Sequence, residues 1–182
     1  MKLIIQIPCL NESESLSGTL ADLPKSIPDI DQIETLIIDD GSTDKTSEAA
    51  RQHGVTHIVR FPQRKGLAKG FQAGLDASLK AGADIIVNID ADNQYKGEDI
   101  PRLVQPILEG KAGMVIGNRD IENVRQFSWL KKRLQRLGGW VVSSLAGSMI
   151  RDTTTGFLAY SREAALRLNI ISDYTYTLES II

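Results

Sequence analysis

Apolar residues recur along the chain in short, nearly continuous runs that are rich in isoleucine and valine. The runs cover residues 3–7, 35–38, 57–61, 84–89 and 113–116. Strands that are covered on both faces have unbroken apolar runs, whereas strands with one solvated face alternate between apolar and polar residues. The pattern therefore predicts the strands of a parallel sheet that is buried between two layers.

Helical spacing separates these runs. The periodic apolar positions are Leu16, Leu20 and Leu23, then Leu67, Phe71, Leu75 and Leu79, and then Ile100, Leu103, Val104 and Ile107. Ser42 is placed to cap a helix that begins at about Thr43, and Gly54 is placed to end it. Alternating strands and helices predict right-handed βαβ units in an open α/β sheet, in which ligands bind at the carboxyl ends of the strands.

Composition excludes several classes of protein. The 182 residues suffice for one domain, residues 1–182, with a sizeable core. A net charge of −2 and a pI near 5.7 predict no nucleic-acid partner. The single cysteine, Cys9, excludes an internal disulfide and a cysteine-based zinc site, and we expect it to be a small buried side chain.

The chain has no run of the roughly 18 apolar residues that cross a bilayer. Its last residues, YTYTLESII, include no helix cap, glycine or polar tail. Because domains commonly end in a poorly ordered polar segment, we expect this domain to be truncated at its C-terminal end.

Polar side chains follow four of the predicted strands. They form the segments PCLNE at 8–12, DDGS at 39–42, DADNQ at 90–94 and GNR at 117–119. The carboxyl ends of parallel strands meet at one edge of a sheet, so we expect these segments to build one site.

The segment at 90–94 carries the most specific chemistry. Asp90, Asp92 and Gln94 stand at every second position after an apolar run, and such positions share one face of a strand. Hard oxygen ligands of this kind suit Mg²⁺ or Mn²⁺, which bind a few carboxylates together with substrate phosphates. Haloacid-dehalogenase-type phosphatases also carry D-x-D after a strand, but Gln94 stands where they have threonine or valine, so metal–nucleotide binding is favoured.

Two common nucleotide motifs are missing from the sequence. The first predicted strand is not followed by G-x-G-x-x-G, and no G-x-x-x-x-G-K-[ST] occurs. A nucleotide would therefore bind through side chains and a metal ion rather than through a glycine-rich loop.

Several polar positions near the first two strands fit either a structural or a functional role. Asp39 and Asp40 can cap the following helix, but a carboxylate at a strand end can also accept hydrogen bonds from a ribose or a base. Asn11 and Glu12 can likewise open the helix that carries Leu16. These alternatives stay open at the level of sequence.

Polar segments later in the chain also fit either a structural or a functional role. Arg119 follows the fifth strand, where it can meet a phosphate. Residues 126–136, QFSWLKKRLQR, fit a solvated helix face or a basic amphipathic helix on anionic lipid or phosphate. Residues 152–157, DTTTGF, fit an edge strand with a turn or a hydroxyl-lined acceptor loop. His53 and His57 have no acidic or cysteine neighbours at ligand spacing, so we expect structural roles for them.

Together these segments resemble the family-two GT-A glycosyltransferases, and within them the branch of dolichol-phosphate mannosyltransferases and polyprenyl-phosphate glycosyltransferases. The matching segments, in order, are IPCLNE, IIDDGSTDKT, RKGLAKGFQAGLDAS, NIDADNQY with EDIPRLV, VIGNR and DTTTGFLAYSREA. The resemblance runs from about residue 4 to residue 179. It implies the GT-A fold of nucleotide-diphospho-sugar transferases, a Rossmann-like, open and mainly parallel sheet with helices on both faces.

The resemblance also implies a role for each matching residue. The metal ligands would be Asp90, Asp92 and Gln94. The nucleotide-sugar contacts would be Pro8, Leu10, Asn11, Glu12, Asp39, Asp40 and Lys69. The acceptor contacts would be Arg133, Arg136, Asp152, Thr154, Thr155 and Gly156. The catalytic residues would be Asp90, Asp92, Arg119 and Glu179.

The reaction implied is inverting, metal-dependent transfer of a hexose from a UDP- or GDP-linked sugar to a polyprenyl phosphate. Mn²⁺ or Mg²⁺ would stabilise the departing diphosphate as a Lewis acid. A lipid phosphate is already an anion, whereas a hydroxyl acceptor needs a carboxylate such as Glu179 to take its proton. We expect a cytoplasmic protein with peripheral contact to the membrane.

Two alternatives to this function stay open. One is a nucleotide-sugar-binding domain without turnover, and the other is a transferase that acts on a soluble or saccharide hydroxyl. The intact D-x-D-x-Q set at Asp90, Asp92 and Gln94 favours an active enzyme, because a domain without turnover has no need of metal ligands.

Overall fold

The computed structural model describes residues 1–117 and 155–170, together with Tyr176. The strands are β1 (Lys2–Cys9), β2 (Gln32–Asp39), β3 (His57–Arg60), β4 (Ile85–Asn88), β5 (Met114–Ile116) and β6 (Leu158–Ser161). The helices are α1 (Leu16–Asp22), α2 (Thr46–Gln52), α3 (Leu67–Lys80), α4 (Ile100–Leu108) and α5 (Arg162–Arg167), with a 3-10 turn at Gly97–Asp99. The five strands predicted from apolar runs are confirmed, with boundaries that shift by a few residues.

The strands form one sheet in the order β3-β2-β1-β4-β6-β5. Strands β3, β2, β1 and β4 run parallel, and β6 runs antiparallel to both of its neighbours, β4 and β5. The sheet is therefore mainly parallel, as predicted. The sequence did not indicate β6, and the described residues of the 152–157 segment, Thr155 to Phe157, lie just before this inner strand rather than in an edge strand.

Alternate residues of the strands pack into opposite layers, and both layers are apolar. Ile5 packs in the layer that holds Leu16 of α1 and Val104 of α4. Its neighbour Ile4 packs in the other layer, which holds Phe71 of α3. All of these side chains are fully buried, and each contributes roughly 1.5–3 kcal/mol relative to an exposed one. This confirms a sheet with helices on both faces.

The two ends of α2 show one wrong and one correct prediction. The helix begins at Thr46 rather than near Thr43, and Ser42 does not cap it, because the Ser42 hydroxyl accepts a hydrogen bond from the Asn11 amide at 3.0 Å instead. Gly54 follows the helix with φ +72°, a left-handed conformation that glycine adopts without strain.

Cys9 and His57 have the structural roles expected of them. The Cys9 side chain is buried at the end of β1. His57 Nε2 lies 2.7 Å from Glu34 Oε2, and Lys2 Nζ lies 3.0 Å from the other oxygen of the same carboxylate. In the part of the chain that the structure describes, no helix is long and apolar enough to cross a membrane.

The order of the strands locates a ligand site. From β1 the chain proceeds outward through β2 and β3, and it then returns to place β4 on the other side of β1. Ligands of open α/β sheets bind outside the carboxyl ends of the strands, at the point where the order of the strands reverses. In this sheet the reversal falls between β1 and β4, so the segments that follow Cys9 and Asn88 border the predicted crevice.

Candidate functional site

The loop after β1 is fastened to the loop after β2. Asn11 accepts a hydrogen bond at its side-chain oxygen from the Thr43 amide at 2.9 Å. The Glu12 amide donates to Thr46 Oγ1 at 2.9 Å, and the Ser13 amide donates to Asp44 Oδ2 at 3.1 Å. Asn11 therefore joins two loops rather than opening α1, and its φ of +57° suits an asparagine.

Asp44 is the centre of this junction, and the sequence analysis did not single it out. Its carboxylate accepts hydrogen bonds from the Ser13 amide and from both the amide and the hydroxyl of Thr46. Burial acts to raise the pKa of Asp44, but the hydrogen bonds from Thr46 and Ser13 outweigh it and lower the pKa from 3.8 to about 2. The junction is therefore held by a carboxylate that stays ionised to low pH.

We expect acid to weaken this junction. A carboxyl group with a lowered pKa stabilises the fold fully above its unfolded pKa of 3.8, and its contribution is lost as the pH falls towards 2. Asp44→Asn should lower the free energy of unfolding by about 1–2 kcal/mol at pH 7, and it should flatten the loss of stability between pH 4 and 2.

Urea denaturation across that pH range measures this effect. Replacement of the exposed Asp29 by asparagine is the matched control and should follow the wild-type curve. Identical pH dependence in Asp44→Asn and wild type would show that Asp44 does not bind the two loops together.

Asp39 is fully buried at the end of β2. One carboxylate oxygen accepts a hydrogen bond from the Ser42 amide at 2.8 Å, and the other accepts from the Ser47 hydroxyl and lies 3.6 Å from Arg60 Nε. Burial is the largest influence and raises the pKa of Asp39, but the bonds from Ser47 and Ser42 and the charge of Arg60 outweigh it and lower the pKa. Both oxygens thus hold the turn that follows β2.

Asp40 binds a more distant part of the chain. Its two oxygens accept hydrogen bonds from the amides of Lys65 at 2.6 Å and Gly66 at 2.9 Å, immediately before α3. Neither of the paired acids caps the backbone of α2, because Asp39 bonds to the Ser42 amide and the Ser47 hydroxyl, and Asp40 bonds to the residues before α3. Lys69, a predicted nucleotide contact, is exposed in the first turn of that helix.

Gly41 permits this arrangement. A Cβ atom at residue 41 would lie 2.4 Å from the backbone carbon of Gln63, and the glycine has φ +77°. Any other residue at this position would push the 61–66 segment away from Asp40 and strain the backbone. The predicted nucleotide contacts Pro8, Leu10, Asn11, Glu12, Asp39 and Asp40 thus lie at the carboxyl ends of β1 and β2 or in the loops that follow, and Lys69 lies in the helix whose start is bonded to Asp40.

The segment at residues 90–94 is a turn, not the extension of a strand. Strand β4 ends at Asn88, and Asn93 has φ +57°, so the inference that alternate residues share one strand face is wrong. Asp92 accepts a hydrogen bond from the Gln94 amide at 3.1 Å, and both side chains are exposed. Thr19 of α1 holds the turn by donating to the Ala91 carbonyl at 2.9 Å.

The donor set of this turn fits a divalent cation. Asp90, Asp92 and Gln94 offer two carboxylates and an amide oxygen, which are hard ligands of the kind that Mg²⁺ and Mn²⁺ take. Within residues 1–117, 155–170 and 176, no group of three or more His, Cys, Asp and Glu side chains could hold a metal ion. A cation here would depend on few protein ligands and on oxygens of the substrate.

Thr155 and Gly156, predicted acceptor contacts, lie directly against the turn. A Cβ atom at Gly156 would lie 2.4 Å from both carboxylate oxygens of Asp90. Asn88 donates to the Gly156 carbonyl at 2.6 Å and to the Tyr176 hydroxyl at 2.9 Å. The structure therefore brings together the predicted metal segment and the described part of the predicted acceptor segment.

Sequence reasoning missed Asn88, Tyr95 and Tyr176 at this contact. Asn88 is a polar residue that ends the apolar run IIVN, and such a residue in a buried strand signals a hydrogen-bonded role. Burial raises the pKa of Tyr176 well above its ordinary value, and the nearby charge of Asp90 raises it further. Tyr176 is thus a neutral hydroxyl beside Asp90 at physiological pH.

Several predicted residues lie outside the part of the chain that the structure describes. They are the catalytic candidates Arg119 and Glu179 and the acceptor contacts Arg133, Arg136, Asp152 and Thr154. Their roles stay predictions.

Comparison with known proteins finds relatives that match most of the chain. The chain is 29% identical to an undecaprenyl-phosphate mannosyltransferase of Micrococcus luteus, over 97% of this chain and 74% of the relative. It is also 29% identical to a polyprenol monophosphomannose synthase of Mycolicibacterium smegmatis, over 92% of this chain and 64% of the relative.

A solved structure supports the fold. Glucosyl-3-phosphoglycerate synthase from Mycobacterium tuberculosis, in complex with Mn²⁺, UDP-glucose and phosphoglyceric acid, superimposes with a TM-score of 0.68 at 23% identity. The match covers 90% of this chain, which spans 57% of the length of that structure. This likeness shows the fold, which is the GT-A fold that the sequence predicts. Residues 4–168 match the family described as glycosyl transferase family 2, and the chain belongs to that family.

Proposed function

We propose that the protein transfers a hexose, with inversion, from a UDP- or GDP-linked sugar to a polyprenyl phosphate in a reaction that needs Mn²⁺ or Mg²⁺. The observation that carries this proposal is the position of the Asp90–Gln94 turn beside the reversal point of the sheet. The relatives named for undecaprenyl phosphate and for polyprenol monophosphomannose support the lipid acceptor.

On the donor side, the residues of the turn would hold the cation and the nucleotide diphosphate. Asp90, Asp92 and Gln94 supply the oxygen ligands, and the bound cation would stabilise the negative charge that develops on the departing diphosphate. The loops after β1 and β2 would hold the nucleoside. Because Asp39 is fully buried, its direct contact with a nucleoside requires the turn after β2 to rearrange.

On the acceptor side, the chemistry sets which residues matter. A lipid phosphate attacks as an anion, so the proposal needs positive charge, from Arg119, Arg133 and Arg136, rather than a general base. This acceptor would place the protein in peripheral contact with the membrane. A hydroxyl acceptor would instead need a carboxylate, and Glu179 would take that proton.

A soluble acceptor is the second candidate. The structural neighbour was solved with phosphoglyceric acid, a soluble phosphate-bearing molecule, and it has the same fold. The higher sequence identity of the relatives named for lipid acceptors favours the polyprenyl phosphate. Measurement of the acceptor product distinguishes the two.

The donor half of the proposal predicts nucleotide-specific stabilisation. In the presence of Mn²⁺, UDP or GDP at a concentration near a hundred times its Kd should stabilise full-length protein by about 2.7 kcal/mol, and ADP at the same concentration should stabilise it less. The effect should shrink when EDTA replaces Mn²⁺, since the diphosphate would lose its bridge to Asp90 and Asp92.

Thermal shift assays with a panel of nucleotides and nucleotide sugars measure this effect and also rank the sugars. Free phosphate and diphosphate serve as controls for simple anion binding. A preference for ADP or NAD, or equal shifts with Mn²⁺ and with EDTA, would contradict the donor assignment.

A further inference from the structure

Gly156 lies in a buried cluster that holds it against Asp90. Its carbonyl accepts from Asn88, and its amide donates to the Tyr95 hydroxyl at 3.2 Å. No positive φ is required at this glycine; what it requires is space, because an added Cβ would overlap both oxygens of Asp90. The position of Gly156 and the position of the Asp90 carboxylate are therefore mutually dependent.

The two residues that hold Gly156 come from the two ends of the Asp90–Gln94 turn. Asn88 precedes the turn as the last residue of β4, and Tyr95 follows it directly. Both side chains are buried, as a hydrogen-bonded polar residue at a rigid site should be. Gly156, from a distant part of the chain, thus accepts a hydrogen bond from Asn88 before the proposed metal-binding turn and donates one to Tyr95 after it.

Tyr95 makes further contacts with the two residues that flank Gly156. The Tyr95 hydroxyl lies 3.0 Å from Thr155 Oγ1, which accepts a further hydrogen bond from the Phe157 amide at 3.1 Å. The Tyr95 and Phe157 rings stack with centroids 5.1 Å apart. Tyr95 therefore contacts all three residues from 155 to 157, and its hydroxyl and its ring make separable contributions.

The Asn88 side is fully hydrogen-bonded. The side-chain nitrogen of Asn88 donates to Gly156 and to Tyr176, and its oxygen accepts from Gln6 Nε2 at 3.0 Å. A side-chain amide with every one of these bonds made has a single orientation. The Asn88 side chain therefore fixes the position of the Gly156 carbonyl.

We propose that Asn88 and Tyr95 are positioning residues, which clamp Gly156 against Asp90 and thereby set the carboxylate for binding the divalent cation. The inference rests on the proposed function, since it assumes that Asp90 helps to hold a cation. It adds a role for residues that touch neither the cation nor the substrate. Residues that orient metal ligands typically contribute about 10- to 100-fold to metal affinity.

Tyr95→Phe in full-length protein tests the clamp with little disturbance. Phenylalanine keeps the ring that stacks on Phe157 and removes only the hydroxyl. We expect Mn²⁺ affinity, measured by EPR titration with the metal alone and with UDP, to fall about 10- to 100-fold. UDP affinity in EDTA should not change. The matched control is Tyr160→Phe, which alters another buried tyrosine, on β6, and should keep Mn²⁺ affinity within about twofold of wild type.

Gly156→Ala provides a second variant with its own control. An added methyl at residue 156 would displace Asp90, whereas at Gly113 its nearest neighbour would be the Ala164 Cβ at 3.6 Å, an ordinary contact. We therefore expect Gly156→Ala to weaken Mn²⁺ binding and Gly113→Ala to leave it unchanged.

The outcomes separate the clamp from the proposed function. Wild-type protein that binds Mn²⁺ while Tyr95→Phe binds it equally well would overturn the clamp alone, even if the variant melts at a lower temperature. Wild-type protein that binds no Mn²⁺, with or without UDP, would overturn both proposals.

Discussion

Replacement of Asp92 by alanine should abolish metal-dependent nucleotide binding and leave the fold intact. Asp92 is exposed on the turn after β4, and its described hydrogen bond is the one that it accepts from the Gln94 amide. The free energy of unfolding should therefore change by less than about 1 kcal/mol. Loss of a direct ligand should cost more than the roughly 10- to 100-fold that follows loss of a residue that orients one.

UDP binding with Mn²⁺ and with EDTA, measured by calorimetry, shows the effect. In wild-type protein EDTA should weaken binding, and in Asp92→Ala it should have no further effect. Asp76→Ala is the control, because Asp76 is also exposed and accepts one described side-chain hydrogen bond, from Gln72. Equal UDP affinity in wild type and Asp92→Ala, at every Mn²⁺ concentration, would exclude Asp92 as a ligand.

Replacement of Asp39 by alanine should have the largest effect on stability. The substitution would leave the Ser42 amide and the Ser47 hydroxyl buried without their acceptor, and it would remove the carboxylate that pairs with Arg60. Each buried group that loses its hydrogen bond costs about 1–3 kcal/mol, so we expect a loss of at least about 3 kcal/mol in the free energy of unfolding.

Urea denaturation of Asp39→Ala, of Ser47→Ala and of the double variant measures this loss and its origin. The two substitutions should cost less together than the sum of their separate effects, because they break the same hydrogen bond. If Asp39→Ala keeps wild-type stability but loses its affinity for UDP or GDP, the structural role of Asp39 is excluded. Asp39 would then be a direct nucleoside contact, as the family resemblance implies, and not a support of the turn.

Much of the fold could be predicted because its signals are local. A strand covered on both faces must be apolar at nearly every position, so β1 to β5 could be located from their runs alone. Strand β6 was missed because its sequence, LAYS, is short and follows a run of hydroxyl-bearing residues. Its insertion between β4 and β5 is a property of the whole sheet, which no local pattern encodes.

The site was predicted less completely than the fold. Sequence spacing located the proposed ligands Asp90, Asp92 and Gln94, but the reason given for their facing one way failed, because β4 ends at Asn88 and the segment that follows is a turn with a left-handed Asn93. The contact of Gly156 with Asp90 joins residues that are remote in sequence, so no periodic pattern in the sequence predicts it. The resemblance to a family could indicate these residues, but it could not show what holds them in place.

Transfer of a labelled sugar tests the central claim most directly. Full-length protein would be incubated with liposomes that contain polyprenyl phosphate, with UDP- or GDP-linked sugars, and with either Mn²⁺ or EDTA. We predict a lipid-linked sugar of inverted anomeric configuration that forms with Mn²⁺, does not form with EDTA and is not made by Asp92→Ala. Donor hydrolysis without lipid product, or transfer to a soluble acceptor alone, would contradict the assignment of a polyprenyl-phosphate glycosyltransferase.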